Sequence, residues 1–219
     1  MAAEIEARVD AFLARLAAVR VPGSINPWGE SDPEIDVVAD AAARRRDNLR
    51  WWLLGKLVPQ RPLILLVGEA PGYRGARFSG IVFHSERMLA PERRTSGQAN
   101  GYSEQTATII AGTLADLGLS DRALGWNAVP LHPFRPGNPL SNRPPTRAEI
   151  EAGRPILEAM IDLVRPAAMV AVGRVAGALL PGVPQVRHPA QGGATAFREG
   201  LHALAADLAA ADRPRAAAQ

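Results

Sequence analysis

Four residues at the ends of apolar runs carry side chains from which chemistry can be assembled: Glu69, Phe83, Asn127 and His188. A carboxylate, a flat ring, an amide and an imidazole suit recognition of a planar heterocycle. The ring stacks on it, the amide reads adjacent donor and acceptor atoms, and the imidazole steadies negative charge as it leaves on the heterocycle. Each type also has an ordinary use: phenylalanine fills cores, asparagine caps turns, and histidine before proline bonds nearby backbone. Glu69 and Phe83 share one stretch, ILLVGEAPGYRGARFSGIVFHSE, in which an apolar run breaks into a Gly-rich loop. That loop has neither the G-x-x-x-x-G-K-[ST] nor the G-x-G-x-x-G pattern, which argues against a mononucleotide P-loop. Its glycines can still turn backbone N–H groups toward an anion, and Arg74 and Arg77 are candidates to meet phosphates. His84, next to Phe83, fits a pocket wall and a turn cap equally well.

These residues need a frame that brings strand ends together. LILLV is short, apolar on both faces and followed by glycine, as a buried parallel strand should be. The same signal returns at ALGWNAV and AAMVAV, and more weakly at PQVR. Helical spacing fills the gaps, with helices expected over 104 to 117, 146 to 164, 173 to 180 and 194 to 210. Upstream, a helix over 3 to 20 and a second from Pro33 to Leu57 flank the Pro/Gly/Ser-rich connector VPGSINPWGESDP. Strand and helix alternate, which predicts a three-layer α/β/α sandwich around a central, mostly parallel four-stranded sheet. In such sheets ligands bind beyond the carboxyl ends of the strands, and the unusual residues lie there. The expected organisation is a single domain over 1–219, with an N-terminal helical part (1–60) and an α/β core (61–210). The closing ADRPRAAAQ reads as a frayed tail.

Composition excludes several classes of function. With no cysteine there are no disulfides, thiolate nucleophiles, iron–sulfur clusters or cysteine zinc sites. Histidines 84, 132, 188 and 202 show no metal-ligand spacing, so neither metal nor cofactor is expected. No apolar run approaches the roughly 20 residues that a membrane helix needs, and the N-terminus lacks the pattern of a signal peptide. A cytoplasmic protein without membrane attachment is expected. Nothing argues for an obligate assembly, so a monomer is expected too. The formal net charge is +3 and Lys56 is the only lysine. The pI near 10.1 is compatible with a polyanionic partner.

GEAPG after a buried strand, NAVP at the end of the second and HPA late in the chain together resemble the ordered motifs of the uracil-DNA glycosylase superfamily. The pattern is most similar to its bacterial GEAPG-type (family 4) members, and the resemblance spans residues 62 to about 205. It implies a DNA repair enzyme that flips uracil out of DNA and hydrolyses its N-glycosidic bond, leaving an abasic site. Phe83 resembles the phenylalanine that stacks on the extruded base, and Asn127 the asparagine that reads its edge. His188 is similar to the histidine that bonds uracil O2 and stabilises the leaving group. Gly68, Glu69, Ala70, Pro71 and Gly72 match the water-activating loop, which lies near the sugar and flanking phosphate. Uracil-containing DNA, single- or double-stranded, and its abasic product are the implied partners. Arg74, Arg77, Arg135, Arg143, Arg187 and Gln191 are the candidates to contact DNA, some of them from the Pro-rich loop PLHPFRPGNPLSNRPPT, where His132 and Asn142 also lie.

The sequence departs from the family pattern in four places. Ala70 stands where the best-known members carry an aspartate, which leaves Glu69 as the candidate to orient water. Gly72 stands where they place a tyrosine that excludes the thymine methyl. The cysteines that hold an iron–sulfur cluster in GEAPG-type enzymes are missing. HPAQGG offers no bulky side chain to fill the gap left by a flipped base, a part that Gln191, Arg187 or the Pro-rich loop would have to take. Two other readings stay open: a non-catalytic or slow binder of abasic or modified DNA, and a glycosylase for another deaminated or oxidised base.

Overall fold

The structure is a computed structural model and describes residues 1 to 211, so residues 212–219 of the expected tail lie outside the described residues. The elements, in order, are α1 (Ala2–Ala17), β1 (Ser24–Ile25), α2 (Ala41–Leu57), β2 (Ile64–Gly68), α3 (Ala76–Ser79), α4 (Gln105–Asp116), β3 (Ala123–Asn127), β4 (His132–Pro133), α5 (Arg147–Val164), β5 (Ala168–Val172), α6 (Arg174–Leu179), β6 (Gln185–Val186) and α7 (Ala194–Ala211). Two single turns of 3₁₀ helix, Glu86–Met88 and Pro91–Arg93, lie between α3 and α4.

The main sheet has the order β3-β2-β5-β6. Every pairing in it is parallel, and β2, the run read as a buried strand, lies between β3 and β5 with all of its residues buried. Because side chains alternate across a strand, Leu65 and Val67 face one layer, with Phe12, Leu16, Leu53, Ile156 and Met160 from α1, α2 and α5. Ile64 and Leu66 face the other, with Ile109, Ile110, Phe197 and Leu201 from α4 and α7. This is the expected three-layer α/β/α sandwich.

The second helix begins at Ala41, not at Pro33. Between them, turns hand the Asp36 carboxylate to the interior. There Asp36 Oδ1 meets Arg45 Nη1 at 2.9 Å and Arg77 Nη1 at 3.0 Å. Burial works against the carboxylate, but the Arg45 hydrogen bonds and the charges of Arg45 and Arg77 hold its pKa below the usual carboxylate range. Glu86, also buried, accepts from the backbone N–H groups of Thr95 (2.6 Å) and Ser96 (2.9 Å) and from the Ser96 hydroxyl. A two-residue antiparallel ladder, β1 with β4, ties the N-terminal connector to the Pro-rich loop. In that loop Arg143 grips Glu149 with two short bonds, Nη1–Oε2 2.8 Å and Nη2–Oε1 2.6 Å. Glu149 also closes a capping box with Thr146 at the start of α5.

Candidate active site

The loops that leave β2, β3, β5 and β6 gather over the carboxyl ends of the strands around a cleft of about 400 Å³. Two ladder contacts continue past the last strand residues: Ala128 N–H donates to Gly68 O and Val129 N–H to Glu69 O, both at 2.9 Å. They fix the GEAPG segment against NAVP. The Pro-rich loop holds the other end of that segment. His132 Nδ1 lies 2.8 Å from Pro71 O and its Nε2 lies 3.1 Å from Pro139 O, while Tyr73 N–H donates to Asn142 Oδ1 at 3.0 Å.

Phe83 has φ +57°, in the left-handed region that side chains rarely enter. Its ring sits where two glycines leave room. A Cβ at Gly68 would lie 2.8 Å from Phe83 Cζ, and one at Gly125 would lie 2.8 Å from Cδ2. The ring thus lies over β2 and β3 beside Asn127, whose Oδ1 also borders Gly68. Asn127 is 3% exposed, and among the described residues its amide has no protein partner, so donor and acceptor are both left for a ligand.

His188 enters from the loop after β6, and Gly173 admits it: a Cβ there would lie 3.2 Å from His188 Cβ. Ala190 N–H donates to His188 Nδ1 at 3.1 Å. In the neutral ring this places the proton on Nε2, which has no partner among the described residues and can donate. Burial, helped by the charge of Arg187, pushes the His188 pKa below its ordinary value and keeps it neutral near pH 7. Burial raises the pKa of Glu69. Ala70, Pro71, Gly72, Arg187 and Gln191 complete the set of expected residues that line the cleft.

Residues 55–215 match the family model described as the Uracil DNA glycosylase superfamily. The chain belongs to that superfamily. Among solved structures it is similar to the wild-type SMUG2 of Pedobacter heparinus, at 14% identity and a TM-score of 0.64, over 93% of this chain and 97% of that one. No curated protein matches it. The fold is therefore that of the superfamily, and the coarse activity is that of a DNA glycosylase acting in base excision repair, with DNA as its partner.

Two expected DNA contacts of the glycosylase are corrected. Arg77 is 1% exposed and committed to Asp36, so it cannot reach a phosphate. Arg143 spends its guanidinium on Glu149 and on the carbonyls of Gly23, Phe134 and Pro144, which makes it a brace for the loop. Arg74 is exposed, with its guanidinium 5.2 Å from the centre of the Tyr73 ring, and Arg135 is exposed on the Pro-rich loop outside the cleft. His84 lines a separate apolar cavity of about 120 Å³ behind Phe83. The sequence reading missed Glu104, Thr106 and Arg174, all of which line the cleft. Arg174 follows β5, so the rule that ligands gather at strand ends would have found it. Glu104 was concealed because an acidic residue at a helix start is commonplace.

Proposed function

We propose that the glycosylase hydrolyses the N-glycosidic bond of uracil in DNA and leaves an abasic site. One observation carries this: a ring free to stack, an unpaired amide and a histidine whose free nitrogen bears the proton meet over a single cleft. A base taken out of the helix, at a cost of a few kcal/mol, stacks on Phe83 while Asn127 reads its N3–H and O4. His188 Nε2–H donates to O2, where charge grows as the bond breaks.

In the hydrolysis a water oxygen bonds to C1′ and the C1′–N1 bond breaks. Its electron pair stays on the base, and the water loses a proton. Glu69, beside the sugar, orients that water and offsets positive charge on the sugar. The His188 bond is worth most in the transition state, which makes it catalytic and not merely adhesive. Arg74, Arg174 and Arg187, with Gln191, lie at or near the rim where the DNA backbone would pass.

The test is to incubate the protein with uracil-containing oligonucleotides (single-stranded, U:G and U:A), then treat with alkali. Strand breaks at the uracil are expected. Intact strands from all of these substrates, alongside a working control enzyme, would overturn the reading. Tight binding to an abasic analogue without base release would mark a binder instead.

A further inference from the structure

Glu104 is a cleft residue for which the proposed mechanism has no use. Its backbone is clamped at the start of α4, because Ser85 Oγ accepts from Glu104 N–H at 2.9 Å and donates to Glu104 O at 3.2 Å. Its carboxyl reaches back over the GEAPG loop. A Cβ at Gly72 would lie 3.2 Å from Oε1 and 4.0 Å from Asn142 Nδ2, and a Cβ at Gly75 would collide with both carboxyl oxygens. Among the described residues that carboxyl has no hydrogen-bond or ion-pair partner. A polar group so placed is satisfied only by water or by what binds in the cleft.

The position of α4 says which side of a bound base it would face. Ile110 and Leu114 share with Leu66, Phe83 and Gly125 the small cavity behind the ring, so α4 packs against the β2–β3 part of the sheet, whose β3 ends at Asn127, and Glu104 and Thr106 at its start line the cleft. His188 stands across the cleft, beyond β6, which is at the opposite edge of the sheet. With O2 toward His188 and N3–O4 toward Asn127, the next atom round a pyrimidine is C5. Resting on the uracil reading above, we propose that Glu104 is a specificity-determining residue that meets the C5 side of the flipped pyrimidine and favours a hydrogen-bond donor there, as in 5-hydroxymethyluracil, over the methyl of thymine.

A C5 hydroxymethyl group donates a hydrogen bond from its hydroxyl to the carboxyl. A methyl there would strip water from the half-buried carboxyl and return no bond, which costs free energy. Bare C5–H leaves room for a water between Glu104 and Asn142, so uracil remains a substrate. Burial raises the Glu104 carboxyl to about 7, so the ionised acceptor is about half populated at pH 7 and grows as pH rises.

The experiment measures kcat/KM for release of uracil, thymine and 5-hydroxymethyluracil from otherwise identical oligonucleotides by the wild type, Glu104→Leu and Glu104→Gln. In the leucine variant the 5-hydroxymethyluracil-to-uracil ratio is expected to fall about tenfold or more and the thymine-to-uracil ratio to rise. Glutamine, which keeps an acceptor oxygen, holds most of the preference and guards against a folding artefact. Ratios within about twofold of wild type in both variants would overturn the inference, as would a wild type that releases uracil but not 5-hydroxymethyluracil. A wild type that releases none of the three sinks the uracil reading itself, a different result.

Discussion

At the scale of single residues, the decisive detail is the bond from Ala190 N–H to His188 Nδ1. It selects the tautomer that can donate to a leaving base, which residue type alone does not. His188→Ala should lower single-turnover base release by about a hundredfold, the usual cost of one oxyanion donor; an unchanged rate would move that role elsewhere. Glu104 makes a second prediction, in stability. Its folded pKa, about 7, lies above the ordinary 4.5, so protons favour the folded state. The stability linked to this group is fully present below pH 4.5 and is lost as pH rises through 7. At about 1.4 kcal/mol per unit, Glu104→Gln should gain up to roughly 3 kcal/mol on the wild type by pH 8, with no gain at pH 4. Denaturation at several pH values checks this, and parallel curves would mean that the carboxyl is solvated. That Glu69, Phe83, Asn127 and His188 line one cleft was legible in sequence because loops gather at the carboxyl ends of strands. Arg77 was not, because its counter-ion Asp36 lies 41 residues away and burial is a property of the whole fold.

At the scale of elements, the glycines of neighbouring strands do the positioning. Leu66 pairs with Gly125 and Gly68 with Asn127, so one hollow holds the stacking ring and its neighbour presents the reading amide. Gly125→Ala should push the Phe83 ring out of place, costing about 1–3 kcal/mol by overpacking and reducing base release more than it lowers thermal stability. A variant as active as the wild type would show that the ring adapts. Elements built on local periodicity were readable from sequence: the strands, α4, α5 and the start of α1. The start of α2 was not, because residues 33 to 40 turn to present Asp36 to Arg45 and Arg77, a tertiary pairing that local periodicity does not show. Asp36→Asn should therefore cost about 3–5 kcal/mol by leaving two buried arginines underpaired, read as a shift in the urea midpoint.

At the scale of the whole molecule, the cleft sets two carboxyls, Glu69 and Glu104, against a rim with Arg174 and Arg187. On the proposed function, the rim would attract DNA and the carboxyls inside would select the base. Arg187→Ala should weaken binding to any DNA sequence and lower the slope of log K against log salt by about one contact; a slope identical to wild type would take Arg187 off the backbone path. The Asp36–Arg45–Arg77 cluster has one more consequence. The family match begins at residue 55, yet Arg77, in α3 after β2, is neutralised by Asp36, which precedes that boundary, and α1 and α2 supply much of one face of the core. The inherited signature and the physical unit of folding therefore have different edges. A chain trimmed to 61–211 would keep every motif, but it would strand a cation in its interior and bare an oily sheet face to water.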